Sequence, residues 1–130
     1  MKKFSIEILP KQKDKIPDIN KKYFNDVYIT HIPGSPLKDL IDTSEAVLNN
    51  NLNPVPHLPA RSMESENDLN FLLNKLTKLG VSDILMIGGF LQLKSQSLYR
   101  LGFLIIRSTT DINRRTVAKI RRCLRLFFDL

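Results

Sequence analysis

The chain has 130 residues, of which 42% are hydrophobic and 25% are charged, values typical of one soluble globular domain. Its formal net charge is +7. No apolar run approaches the roughly 20 residues of a membrane span, and the N-terminus lacks the apolar core of a signal peptide. A single cysteine, Cys123, excludes an internal disulfide and fits a reducing compartment. We therefore expect a cytoplasmic protein with no membrane segment.

The charge is unevenly distributed along the chain. Residues 1–90 contain 11 Lys and Arg against 11 Asp and Glu, whereas residues 91–130 contain 9 against 2. The basic residue type also changes, because ten of the 11 basic residues in the first segment are lysines, whereas seven of the 9 in the second are arginines. This pattern predicts a boundary near residue 90, with one domain over 1–90 and a basic tail over 91–130.

The first part of the chain predicts two strands. Lys3–Leu9 alternates apolar and polar side chains, which is typical of a strand, and Pro10 ends it. The lysine-rich stretch Lys11–Lys22 is predicted to be a connection or a short helix. Val27–Ile32 follows as a second apolar strand.

A helix and a third strand come next. Ser35 is predicted to cap the helix N-terminus, with Pro36 at its first position. The helical spacing of four apolar residues supports it: Leu37, Leu40, Ile41 and Leu48. This helix should end in Asn49–Asn51, and Asn53–Leu58 reads as a short, proline-rich strand.

The last predicted helix and strand of this domain have the clearest signals. Ser65 and Asp68 resemble a capping box, and Gly80 is a typical helix stop. Between them lies an amphipathic stripe of leucines: Leu69, Leu72, Leu73, Leu76 and Leu79. Asp83–Ile87 is an apolar run of the kind found in buried parallel strands.

Strands and helices therefore alternate over residues 3–90, which predicts an α/β fold with a parallel sheet. The alternation alone allows a doubly wound sheet or a barrel. In either, ligands bind at the carboxyl ends of the strands. The polar or glycine residues predicted at these ends are Glu7 for the first strand, Thr30 and His31 for the second, His57 for the third, and Gly88 and Gly89 for the fourth.

Each of these residues also has a purely structural interpretation. Glu7 could be a strand carboxylate on a solvated face, and each histidine could be a hydrogen-bonded structural residue. Gly88 and Gly89 could form only a tight turn. Two histidines are too few for a zinc site, so no metal is predicted.

Four segments resemble the opening of the methylenetetrahydrofolate reductase family. They are F-S-I-E-I-L-P at Phe4–Pro10, V-Y-I-T-H-I-P-G at Val27–Gly34, N-P-V-P-H-L-P-A-R at Asn53–Arg61 and G-V-S-D-I-L-M-I-G-G at Gly80–Gly89. The third is the most specific. The resemblance covers roughly residues 3–89 and implies the N-terminal half of a (β/α)8 TIM-type barrel that binds FAD. Such enzymes reduce 5,10-methylenetetrahydrofolate to 5-methyltetrahydrofolate with NAD(P)H, in one-carbon metabolism.

The resemblance also implies roles for the residues at the strand ends. Glu7 matches the carboxylate that acts as general acid when the folate ring opens. Thr30 matches a residue at the nicotinamide and flavin face, and His57 matches a histidine beside the flavin. His31 stands where a flavin-contacting tyrosine is usual. Gly88 and Gly89 match backbone that borders the cofactor.

The resemblance ends where the charge pattern changes. Phe90 occupies the position of an aspartate that the family uses near the flavin and the folate. A complete barrel takes about 250 residues, so the resemblance implies an incomplete or inactive fragment. Another copy of the chain or a different chain would have to supply the rest of the barrel. A reading-frame shift near codon 90 is our preferred explanation.

The tail has an alternative interpretation as genuine structure. Phe103–Ile106 would be the strand and Ile112–Phe128 the basic helix of a further βα unit. Such a helix could make the chain a non-catalytic module that binds nucleic acid or an anionic surface. A solvated helix face is the more common origin of this charge, and no nucleic-acid recognition motif accompanies it.

Overall fold

The computed structural model of this chain describes residues 2–59, 65–87 and 103–107. Over these residues it is an α/β fold. The elements in chain order are strand β1 (Phe4–Ile8), a 3-10 helix (Pro10–Asp18), strand β2 (Phe24–Ile29), helix α1 (Leu37–Asn49), strand β3 (Asn53–Pro59), helix α2 (Glu66–Leu79), strand β4 (Asp83–Ile87) and strand β5 (Phe103–Arg107). The predicted alternation of strands and helices is confirmed.

The strands form one sheet in the order β1-β2-β3-β4-β5. The first four are parallel, and each pairs with the strand that precedes it in sequence. This sequential order differs from the 3-2-1-4 order of a doubly wound sheet, in which the chain reverses direction across the sheet. The strand predicted at Phe103–Ile106 is present, but it pairs antiparallel with β4. It therefore does not continue the parallel pattern of a further βα unit.

The helices pack against one face of the sheet, which we call the helix face. Its strand residues share one apolar core with the helices and include Ile8, Val27, Ile29, Leu58, Ile84 and Met86. Helix α2 contributes the predicted leucine stripe, in which Leu69, Leu72, Leu73 and Leu76 are buried and Leu79 is partly buried. Because side chains alternate along a strand, the residues between these form a second face.

We call this second face the polar face. Its members are Ser5, Glu7, Asp26, Tyr28, Asn53, Val55, His57, Asp83 and Leu85, and the register places Glu7 beside Tyr28 and Tyr28 beside Val55. Val55 and Leu85 are buried but lie outside the apolar core cluster of the helix face. The sheet thus has an apolar face for the helices and a face that carries most of the polar strand residues.

The helix ends show where local signals were sufficient. Ser65 caps α2 by accepting a hydrogen bond from the backbone N–H of Asp68, and Gly80 ends α2 with a φ of 90°, both as predicted. The N-cap predicted at Ser35 is wrong. Pro36 occupies that position in an extended conformation, and the Ser35 hydroxyl donates to the carbonyl of Ile32 instead.

One further boundary differs from the sequence-based expectation, whereas the short helix expected in the lysine-rich stretch is confirmed. Strand β2 begins at Phe24 and ends at Ile29, so it lies three residues earlier than predicted at both ends. The lysine-rich connection forms a 3-10 helix that buries Ile16. None of the helices in the described ranges is long and apolar enough to cross a membrane.

Candidate functional site

Glu7 and Thr30 meet at the carboxyl ends of β1 and β2. The Thr30 hydroxyl donates a hydrogen bond to Oε1 of Glu7. The backbone holds Thr30 in place, because its N–H donates to the carbonyl of Ile8 at 2.9 Å and so extends the β1–β2 ladder by one bond. The two side chains therefore lie on the polar face, at the carboxyl ends of the strands, where parallel α/β sheets bind ligands.

His57 lies on the same face, on strand β3. Its side chain is only 6% exposed, and its ring meets that of Tyr28 edge to face, with 6.1 Å between ring centroids and 65° between planes. This arrangement is a favourable one for two aromatic rings. Since Tyr28 pairs in register with Glu7, the tyrosine lies between the carboxylate and the imidazole.

The imidazole of His57 has unused hydrogen-bonding capacity. Within the described part of the chain, its Nδ1 is buried and makes no hydrogen bond. Burial lowers the pKa of His57 below its usual value, and the negative charge of Glu7 opposes this shift. His57 is therefore neutral at pH 7, with one ring nitrogen a donor and the other an acceptor. A buried polar atom of this kind is uncommon and suits a ligand that supplies the missing partner.

His31 belongs to different surroundings. It follows β2 and interacts electrostatically with Asp39 in the first turn of α1, on the helix side of the sheet. Burial lowers its pKa and the charge of Asp39 opposes this. Its Nδ1 also finds no partner among the residues described. Of the predicted strand-end residues, the structure thus brings together Glu7, Thr30 and His57, whereas His31 faces α1.

The remaining predicted positions fall in two segments of the chain. Gly88 and Gly89 lie outside the described residues, as do Phe90 and the basic segment 112–128. No group of three or more His, Cys, Asp or Glu side chains suited to a metal ion occurs in the ranges that are described.

A second polar cluster lies at the opposite end of the same face, where β2, β3 and β4 begin. The side-chain amide of Asn53 donates to Oδ1 of Asp26 at 3.0 Å and to Oδ2 of Asp83 at 2.9 Å. One amide thereby connects three neighbouring strands. This cluster was not predicted, although its sequence signal is simple. A polar residue occurs in the first half of each of three consecutive strands, and the apolar–polar alternation places all three on the same face of the sheet.

Tyr28 was also missed. Its signal was its position two residues before Thr30, which places both side chains on one face of the strand. Together, Glu7, Thr30, Tyr28 and His57 provide a carboxyl group, a hydroxyl that orients it, and a neutral imidazole held by an aromatic ring. Such a group of side chains can move a proton and can hydrogen-bond a polar, planar ligand.

Neither a scan against protein-family models nor a search of curated proteins returned a match to this chain.

Proposed function

We propose that this chain carries the first half of a methylenetetrahydrofolate reductase-like (β/α)8 barrel and derives from a flavin-dependent folate oxidoreductase. Two features of the fold support the barrel. The parallel strands follow one another in sequence order, and the described helices all pack on one face of the sheet. Both are properties of a barrel, in which helices surround the strands, and a doubly wound sheet has neither.

The observation that carries the functional proposal is the grouping of Glu7, Thr30 and His57 at the carboxyl ends of three adjacent strands. The resemblance assigns these residues to acid catalysis and flavin contact. Their side chains come from different strands yet share one face, and Thr30 bonds directly to Glu7.

The residues present fit a flavin. Nδ1 of His57 is a buried atom without a partner in the described ranges, so a ligand that bonds to it would remove an energetic cost of about 1–3 kcal/mol. His57 and Thr30 would hold the ring system, and the backbone at Gly88 and Gly89 is proposed to border it. The chemistry that FAD supplies when bound is hydride transfer between NAD(P)H and the folate.

Glu7 would act as the general acid. Thr30 donates to Oε1, which leaves Oε2 as the oxygen that would take up and deliver a proton. Delivery of this proton to the ring nitrogen of 5,10-methylenetetrahydrofolate would neutralise the leaving group as the five-membered ring opens. Thr30 orients the carboxyl group through its hydrogen bond to Oε1.

The chain by itself provides only part of such an enzyme. The four parallel strands among the described residues are half of the eight in a barrel, and within those residues nothing pairs with the outer edge of β1 to close the sheet. We therefore propose that the chain is an incomplete fragment that binds the cofactor weakly and does not turn over substrate.

Titration of the purified full chain with FAD tests this function. We expect quenching of flavin fluorescence on binding, and roughly tenfold or more weaker binding for His57→Leu. Glu45→Gln, an exposed change on α1, is the matched control and should bind like the unaltered chain. Absence of flavin binding, or equal binding by His57→Leu, would contradict the proposal. Salt-sensitive binding of a polyanion without flavin would favour the basic module instead.

Resequencing the coding locus tests the origin of the fragment. We expect one of the other two reading frames past codon 90 to encode the second half of the reductase. A locus in which neither frame resembles the reductase would contradict the frameshift and make the basic tail a genuine part of the protein.

A further inference from the structure

Strand β1 has one edge that none of the described strands covers. It pairs with β2 on one side and with none of the described strands on the other. The backbone N–H of Phe4 and the carbonyl of Ile8 both bond toward β2. Because backbone groups alternate in direction along a strand, those of Ser5 and Glu7 point away from the sheet. These two residues therefore offer two N–H and two C=O groups to an incoming strand.

The sequence of β1 is complementary to itself when reversed. In an antiparallel pair centred on Ile6, Phe4 of each copy lies opposite Ile8 of the other, and Ser5 lies opposite Glu7. Ser5 and Glu7 would then exchange backbone hydrogen bonds, and the two Ile6 residues would form the closer, non-hydrogen-bonded pair. The outward backbone groups and the apolar pattern thus favour the same register.

Phe4 is the most exposed large hydrophobic residue that the structure describes, at 67%. By alternation it lies on the same face of β1 as Ile6 and Ile8. Next to them is an open cleft of about 370 Å³ beside the 3-10 helix. Its lining is apolar at Ile6, Ile8, Ile19 and Phe24 and polar at Glu7, Gln12, Lys15, Asp18 and Asn20. In the reversed register, Phe4 of one copy would lie opposite Ile8, a lining residue of the cleft in the other, so each copy would provide both an aromatic ring and a site beside it.

The charges on the other face of β1 also favour this register. Lys3 and Glu7 are both exposed and share that face by alternation. Opposite Ser5, Glu7 of one copy is the diagonal neighbour of both Lys3 and Glu7 of the other, so the dimer would contain two Lys3–Glu7 pairs against one Glu7–Glu7 pair. Attractive pairs therefore outnumber the repulsive one, whereas a register shifted by two residues toward either end would lose the Phe4–Ile8 contacts.

We propose that β1 is a dimerisation edge that pairs antiparallel with β1 of a second copy of this chain. The interface is isologous, as two-fold symmetry requires, since each contact occurs twice. Pairing of β1 with the far edge of β4 in a second copy, which would close a ring, is blocked because β5 occupies that edge. The exposed edge and the exposed Phe4 are covered in the same step.

Sedimentation velocity of the full chain over a range of concentrations tests the dimer. We expect a reversible monomer–dimer equilibrium that Phe4→Lys weakens roughly tenfold or more. Phe71→Lys is the matched control, because Phe71 is also an exposed phenylalanine, at 51%, but lies on α2. A chain that stays monomeric at every concentration would overturn the proposal, as would equal effects of the two substitutions.

A cysteine pair tests the register and also decides the case if Phe4→Lys does not fold. In a Cys123→Ser background, Ile6→Cys should form an intermolecular disulfide on a non-reducing gel, because the two-fold axis brings the two positions together. Ser5→Cys should not, since the two Ser5 positions are diagonal rather than opposite. Cross-linking of neither variant, or of Ser5→Cys in preference, would overturn the proposed pairing.

Discussion

The two ends of the polar face differ in how fully their polar groups are used. At the end where the strands begin, Asn53 donates both amide hydrogens to carboxylates, one from Asp26 and one from Asp83. At the end where the strands finish, Thr30 bonds to Glu7, but His57 buries an Nδ1 that has no partner in the described residues. One cluster is satisfied within the chain and the other is not.

This difference indicates a division of roles along the same strands. A hydrogen bond to a charged, partly buried group stabilises the fold, whereas a buried polar atom without a partner reduces stability. In parallel α/β folds the beginnings of strands support stability and their carboxyl ends carry chemistry. We infer that the Asn53 cluster maintains strand register and that the His57 end retains hydrogen-bonding capacity for a ligand.

The largest effect is expected at the satisfied end. Asn53→Ala removes both amide hydrogen bonds and leaves Asp26 and Asp83 close together without the group that connects them. We expect a loss of about 2–4 kcal/mol in the free energy of unfolding, since each lost bond is to a carboxylate. Urea denaturation followed by circular dichroism measures it.

Asn74→Ala is the control for this change, because Asn74 is exposed on α2. Its free energy of unfolding should stay within about 0.5 kcal/mol of the unaltered chain. Equal stabilities of the two variants would mean that the Asn53 cluster does not hold the strands together.

A smaller effect of opposite sign is expected at His57. His57→Leu replaces an imidazole that lacks one hydrogen-bond partner with an apolar side chain, so we expect roughly 1 kcal/mol of added stability at pH 7. Destabilisation of the same size would show that His57 makes contacts that outweigh its missing bond. The measurement is the same urea titration.

The pH dependence of stability distinguishes His57 further. Its pKa in the folded chain is below the usual 6.5 because of burial, so just below pH 6.5 the unfolded chain binds more protons than the folded one. Stability therefore falls as the pH drops through 6.5 and levels off below the folded pKa. His57→Leu should reduce this slope between pH 7.5 and 5.5, leaving the part due to His31. An unchanged slope would exclude His57 as its source.

The fold of residues 3–87 was largely predictable because its signals are local. Alternation of apolar residues gave β1, the leucine spacing gave α2, and Ser65 and Gly80 gave the ends of that helix. Each signal acts over a few residues, and the tertiary contacts of the folded chain do not override it. The barrel expectation has the support of strand order and helix placement, which periodicity alone could not provide.

One missed feature is a local competition at the start of α1, and the others depend on contacts between distant residues. Ser35 was expected to cap α1, but the cap position moved one residue because Pro36 stays extended and the Ser35 hydroxyl bonds backward to Ile32. The antiparallel pairing of β5 requires knowledge of the neighbouring strand. The same holds for the contact between Tyr28 and His57, which are 29 positions apart.

The smallest stability effect is expected at Thr30, and it provides the sharpest contrast with Asn53. Thr30→Val removes the hydroxyl that bonds to Glu7, yet the bond lies in an exposed region and valine suits an extended backbone. We expect a change within about 0.5 kcal/mol in the free energy of unfolding.

Flavin binding by Thr30→Val should nevertheless weaken severalfold, because the proposed site loses both a ligand contact and the group that orients Glu7. Fluorescence titration with FAD measures this. The comparison is Asn53→Ala, assayed without urea under conditions where it remains folded. If Thr30→Val destabilised the fold as much as Asn53→Ala, the two ends of the polar face would serve one structural purpose. A loss of binding without a loss of stability places the ligand at the carboxyl ends, where the side chains keep bonding capacity that the fold itself does not use.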